Sequence, residues 1–158
     1  MSASFRPLES PAGERRSAYP VRSIVAISRE FEQVGKQGEM SLTQYRFMLF
    51  LRNGPKRAGE IAATSLVTKA TISGQITALR EKGWVAVETD AADRRVSRVV
   101  LTGEGRGVMD RFEARLLGCL EGLIGDADRG AILRALGDLY LALGATRESR
   151  FAEGLGGS

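Results

Sequence analysis

Apolar residues recur at helical spacing along most of this chain and give way to β-branched stretches in one region. From Val21 to Val34, Ile24, Ile27, Phe31 and Val34 fall at i, i+3, i+7 and i+10, one apolar face of a helix. "GKQGEM" ends that pattern. A second helix is predicted within "SLTQYRFMLFLRNGP". Ser41 and Gln44 have the spacing of a capping box, Met40 and Tyr45 match a hydrophobic staple, and Gly54-Pro55 marks the stop. A short helix over residues 57–64 follows. After "SLV", Thr68 is placed to cap a longer helix reaching about Lys82, with Ile72, Ile76 and Leu79 as its buried stripe and Gly83 closing it.

Trp84 to Thr89 and Val96 to Thr102 are the β-branched stretches, and they read as a hairpin with its tip at Asp90 to Arg95. Thr102 can cap a helix placed from about Glu104 to Ile124. Met109, Phe112, Leu116, Cys119 and Leu123 alternate at spacings of three and four along it, a heptad seam. "GDAD" breaks the chain, with Asp128 as the expected cap of a last helix. That helix carries Ile132, Leu136, Leu139 and Leu143 on one face, with Leu133 and Tyr140 beside it. The fold class expected is mainly α with a small β-hairpin. Two short helices joined by a tight turn, followed directly by a hairpin, form the pattern of a winged helix-turn-helix.

Composition narrows the function classes. With 158 residues, 43% of them hydrophobic, the chain supports one folded domain and is not disordered throughout. No apolar run approaches the ~18 residues of a membrane span, and the first 20 residues lack the apolar core of a secretory signal. A cytoplasmic protein with no membrane partner is the expectation. Cys119 is the single cysteine and cannot form an intramolecular disulfide, which suits a reducing compartment. Histidine is absent, so the commonest general base and the usual zinc ligand are missing together. No enzyme activity, cofactor or metal is expected. The net charge is +4, and residues 56–106 hold nine basic against six acidic side chains, a local excess of +3. Most of the positive balance therefore lies in the helix-turn-helix and hairpin, which favours a polyanionic partner.

The helix after Thr68 has chemistry suited to double-stranded DNA. With Ile72, Ile76 and Leu79 turned inward, Ala70, Ser73, Gly74 and Thr77 point outward, and Lys69 and Thr71 lie on the entering turn. Small and hydroxyl-bearing residues let a helix sit deep in a major groove, where hydroxyls can bond base edges and methyl groups can touch thymine. Lys69 beside the positive helix N-terminus would meet a phosphate favourably. An ordinary solvated helix face has the same composition, and the hairpin decides between the two. Arg95 at its tip can enter a minor groove, with Asp93 two residues earlier as the carboxylate expected to hold its guanidinium. Arg94 and Arg98 are placed to meet phosphates.

These features together resemble the MarR family of bacterial transcription regulators. The resemblance runs from about Val21 to Leu143 and is most specific in "DRRVSRVVLTGEG", which fits the family's D-x-R…L-T-x-x-G wing pattern. "SLTQYRFMLFL" resembles the helix before the DNA-binding unit, and "GEIAATSLVTKATISGQITALREKGWV" aligns with the helix-turn-helix without a gap. The resemblance implies a homodimer, most often a repressor, dimerising through N- and C-terminal helices and reading a pseudo-palindromic site. It divides the matching part into a dimerisation helix at 21–40, the DNA-binding domain at 41–103 and dimerisation helices at 104–145; residues 1–20, rich in Ser, Pro and Arg without periodicity, read as a flexible arm and 146–158, with a glycine-rich end, as a flexible tail. It places DNA contacts on Thr68, Lys69, Ala70, Thr71, Ser73, Gly74 and Thr77, with Arg95 in the minor groove.

Gly74 departs from the family pattern, which often has a basic or polar side chain there. Many members bind a small aromatic acid between the dimer helices and the winged lobe, and Tyr45, Arg46 and Trp84 are the residues considered for such a pocket. Cys119 sits on the heptad seam and reads as a small core residue, with a redox-sensing role as the alternative. The remaining rivals are a DNA-binding protein with no effector, a protein–protein module of the same fold, and a helical enzyme using Asp90 and Asp93.

Overall fold

The computed structural model describes residues 18–155 except 66, 67, 91, 92, 94 and 127, without the side chains of 64, 65, 69 and 145–155. Among the described residues six helices and one hairpin follow in the order α1 (Tyr19–Lys36), α2 (Leu42–Leu49), α3 (Ala58–Ser65), α4 (Lys69–Glu81), β1 (Val85–Thr89), β2 (Ser97–Leu101), α5 (Gly103–Ile124) and α6 (Arg129–Leu155). Helix α1 begins within the stretch expected as an arm, and Pro20 in its first turn removes an amide that would lack a partner there. Residues 1–17 of that arm lie outside the described residues. Helix α6 runs on to Leu155, well past the boundary at 145 where a flexible tail was expected. Residues 156–158 of that tail, and the side chains of 146–155, fall outside the description.

Local sequence signals account for the helix starts. The capping box at α2 forms in both directions: the Gln44 amide donates to Ser41 Oγ at 3.1 Å, and the Ser41 amide donates to Gln44 Oε1 at 3.0 Å. Thr68 Oγ1 accepts from the Thr71 amide at 3.2 Å and caps α4. Thr102 serves two elements, since Oγ1 accepts from the Gly105 amide at 2.9 Å and its hydroxyl donates to the Gly83 carbonyl at 2.7 Å. Gly83 closes α4 with φ +73, a conformation that favours glycine. Gly105 lets α5 pass close under the hairpin, because a Cβ there would stand 2.0 Å from the Trp84 carbonyl oxygen.

β1 and β2 pair antiparallel, with Val85 opposite Leu101, Val87 opposite Val99 and Thr89 opposite Ser97. Lys56, ahead of α3, adds an antiparallel bridge to Val99. The core sits where α2, α4, the base of the hairpin and the first half of α5 meet. It contains Met40, Phe47, Met48, Leu51, Ile61, Ile72, Leu79, Trp84, Val99, Val108, Met109, Phe112 and Leu116. Each such side chain contributes roughly 1.5–3 kcal/mol by leaving water.

The seam on α5 therefore divides: Met109, Phe112 and Leu116 enter this core, while Cys119 and Leu123 are half-buried. On α1, Phe31 and Val34 pack against the core, whereas Val21, Ile24 and Val25 remain exposed. Leu139, Tyr140, Leu141 and Leu143 on α6 are exposed as well, Tyr140 to 76%. Among the described residues no helix is long and apolar enough to cross a membrane.

Candidate nucleic-acid interface

The helix-turn-helix is α3 and α4, and α4 presents the face expected from its sequence. Ile72 and Leu79 are buried and Ile76 half-buried, so Thr68, Ala70, Thr71, Ser73, Gly74 and Thr77 are left exposed on the outside. Thr68 Oγ1 and Thr71 Oγ1 lie 2.9 Å apart, so one hydroxyl bonds the other at the entering turn. Lys69 occupies the first position of α4, and its side chain is outside the description. No atom lies within 4 Å of the place a Gly74 Cβ would take, so packing within the chain does not require glycine there. The far end of α4 is tied to the body of the molecule. Lys82 Nζ stands 4.2 Å from the Trp84 ring centroid and donates to the Glu39 carbonyl at 3.1 Å.

The hairpin tip is organised by carboxylates, although not in the way the sequence suggested. Asp93 was expected to hold the Arg95 guanidinium; instead its Oδ1 accepts from the Arg95 backbone amide at 2.9 Å. A short side chain two residues upstream closes this local turn more readily than it reaches a long guanidinium. The Asp93 carbonyl accepts from the Val96 amide at 2.9 Å, and the Asp90 amide donates to the Val96 carbonyl at 2.8 Å. The Arg95 side chain stays exposed and makes no hydrogen bond to another described residue. Arg94 lies outside the described residues.

The carboxylate that does hold an arginine is Asp90. Only 9% exposed, it pairs with Arg98 Nε and accepts from the Asp93 amide at 3.3 Å. Arg98, expected at a phosphate, is thus engaged within the hairpin while its side chain stays 34% exposed. Cross-strand geometry was the signal that could have found this pair. With Thr89 opposite Ser97, Asp90 continues the ladder opposite Val96, and Arg98 is then its diagonal neighbour on the same face.

A second feature lies behind α3, a cleft of about 900 Å³ lined by residues that include Tyr45, Phe50, Arg52, Lys56, Glu113 and Tyr140. Of the three pocket residues considered from the sequence, only Tyr45 lines it. Arg46 points to Glu32 at 3.5 Å, and Trp84 is buried in the core. The Tyr45 hydroxyl donates to Glu113 Oε1 at 2.9 Å, and Arg52 pairs with the same oxygen. Burial, and then the bond to Glu113, push the Tyr45 hydroxyl well above the ordinary tyrosine range. Arg52 and Glu113 were missed because nothing in their spacing brings positions so distant in sequence together. Burial first, and Glu30 second, raise the Cys119 thiol, the opposite of what a reactive thiolate needs.

Comparison with known proteins agrees with this geometry. Residues 39–96 match the family model described as the MarR family. A mutant of MarR from E. coli superimposes with a TM-score of 0.66 at 18% identity, covering 83% of this chain and 99% of that one. MepR of S. aureus, solved bound to an oligodeoxyribonucleotide, gives a TM-score of 0.60 at 20% identity over 82% and 99% of the two chains. BpsR of Bordetella bronchiseptica, whose DNA binding is described as regulated by 6-hydroxynicotinic acid, gives 0.53 at 24% identity over 84% and 97%. At such identities the likeness establishes the winged-helix fold. No curated protein sequence matches this chain significantly.

Proposed function

We propose that this chain, whose residues 39–96 match the MarR family model, is a homodimeric transcriptional repressor of that family that binds a pseudo-palindromic DNA site. The observation that carries the reading is one surface. The exposed outer face of α4 stands next in the chain to a hairpin in which Asp93 Oδ1 accepts from the Arg95 amide and the Arg95 side chain is left exposed. In this reading Thr68, Lys69, Ala70, Thr71, Ser73, Gly74 and Thr77 face the major groove, Arg95 enters the minor groove, and Arg94 and the exposed part of Arg98 meet phosphates. Asp93 and Asp90 shape the tip and make no DNA contact. Affinity then falls steeply with salt, as phosphate contacts release counterions.

The dimer is supported by the uncovered apolar residues at the two ends of the chain, Val21, Ile24 and Val25 on α1 with Leu139, Leu141 and Leu143 on α6. Joining them across two copies would bury a surface that a lone chain leaves in water. The cleft bounded by Tyr45, Phe50, Tyr140 and Arg52 supports a small aromatic acid as effector, with rings to stack on and a cation for the acid.

Electrophoretic shift of DNA fragments selected from the source genome tests the core of this reading. Arg95→Ala is expected to weaken binding at moderate salt while the dimer and helix content stay intact. Unchanged affinity would remove Arg95 from the interface. A thermal-shift screen with phenolic and other aromatic acids tests the effector, because a ligand that binds only the folded state raises the melting temperature. A flat screen favours the reading as a DNA-binding protein without an effector.

A further inference from the structure

We infer that Arg52, Tyr45 and Glu113 form a polar latch that sets the pose of the wing, with Arg52 and Glu113 as positioning residues that act on DNA contact without touching DNA. The inference rests on the reading of the hairpin as a DNA-binding wing. Its physical basis is a short continuous path through the chain.

Glu113 lies on α5, half-buried, and one of its oxygens accepts both the Tyr45 hydroxyl and the Arg52 guanidinium. The Tyr45 ring rests against Phe112, with centroids 5.3 Å apart and planes tilted by 56°, so one partner of Glu113 is held by packing. Arg52 lies in the connector between α2 and α3, immediately after the buried Leu51. The other end of that connector is bonded to the wing. The Lys56 amide donates to the Val99 carbonyl at 3.0 Å, and the Val99 amide donates to the Lys56 carbonyl at 2.8 Å. Only Asn53, Gly54 and Pro55 lie between the two attachments. Pro55 has its φ locked by its ring, and Gly54 takes φ +121, which side-chain-bearing residues rarely adopt. Three residues, Pro55 among them with its φ fixed, form a short strap, so a shift at Arg52 has little chain over which to dissipate before β2.

The latch also faces the cleft that Tyr45, Arg52 and Glu113 help to line. Arg52 is nearly half exposed, so the ion pair is screened and weak, and it can open without unfolding the core. A group entering the cleft that takes Arg52 from Glu113 would release the strap and, through Lys56 and Val99, the wing. A purely structural pair would hold α2 against α5 and leave β2 indifferent.

Amide hydrogen exchange on the free full-length chain separates the two roles. Glu113→Gln and Arg52→Glu are each expected to speed exchange at the Val99 and Lys56 amides by about fivefold, the scale of a screened ion pair. Amides of α4 should stay unchanged in the same samples. The exchanged pair Arg52→Glu with Glu113→Arg should restore wild-type exchange, since it rebuilds the attraction with its direction reversed. Tyr45→Phe, a mild change at the packed partner, should give a smaller effect of the same sign. Unaltered exchange at Val99 in Glu113→Gln and Arg52→Glu would overturn the latch, and so would a loss that the exchanged pair fails to restore. Fragment binding is measured in parallel. If wild type bound no fragment, the regulator reading would fall, while the exchange data would still decide whether the latch holds the hairpin.

Discussion

Replacing Asp90 with alanine tests whether the wing has a built internal support. Asp90 is 9% exposed and offers one oxygen to Arg98 Nε and the other to the Asp93 amide. The change removes both acceptors and leaves a guanidinium and an amide without their partner. Removing one member of a fully buried ion pair costs about 3–5 kcal/mol. Arg98 is 34% exposed, so water recovers part of that loss, and a hydrogen bond to a charged group is worth ~1.5–3 kcal/mol. About 2 kcal/mol is therefore the expected destabilisation of Asp90→Ala. At ~2–4 °C per kcal/mol for a chain of this size, the melting midpoint should drop by roughly 4–8 °C. Urea unfolding followed by circular dichroism gives the free energy directly. Arg98→Met and the double variant complete a cycle, and the two changes together should cost less than their sum by about 1 kcal/mol or more. An Asp90→Ala protein within about 0.5 kcal/mol of wild type, or a strictly additive cycle, would refute the assignment of Asp90 as the anchor of the hairpin.

Three further outcomes follow from particular contacts. The fold keeps the Tyr45 hydroxyl protonated beyond the value of 10.0 at which a free tyrosine ionises, so the stability linked to it is complete below about pH 10 and is lost as pH rises further. The stability difference between wild type and Tyr45→Phe should be constant from neutral pH to about 10 and then shift against wild type; a difference that stays level through alkaline denaturation curves contradicts this. Gly74→Ala should stabilise the free chain by up to about 1 kcal/mol, since the position is exposed, helical and has no neighbour within 4 Å of an added Cβ; a lower melting temperature would show a strain the structure does not contain. Cys119 should be alkylated by iodoacetamide at neutral pH more slowly than a free cysteine, because its thiol is held protonated; a faster rate would revive the redox alternative.

Helices and caps were legible in the sequence because they depend on residues within a few positions of one another. Ser41 with Gln44, Thr68 with Thr71 and Thr102 with Gly105 each close a hydrogen bond three residues apart, and Ile72 with Leu79 needs only the helical repeat to reach the core. The two β-branched stretches follow from alternation and a short connection, while their register does not: a tip over Asp90 to Arg95 would set Thr89 opposite Val96, and the folded hairpin sets it opposite Ser97. Together these determined the winged helix-turn-helix and the exposed face of α4. The termini were less legible, since continuing α6 to Leu155 required no periodic apolar signal that a reader could follow past Leu143.

Tertiary structure alone decided which partner each charged group would take. Both Asp90 and Asp93 stand near Arg94, Arg95 and Arg98 in sequence, and only the pleat of the folded hairpin turns Asp90 onto Arg98 and Asp93 onto a backbone amide. Glu113 meets Tyr45 and Arg52 from 68 and 61 residues away because α5 crosses behind α2. Local signals act through a fixed backbone repeat and can be read from spacing. Ion pairs and clefts arise where separate elements pack, so their geometry exists only once the core has set those elements against one another.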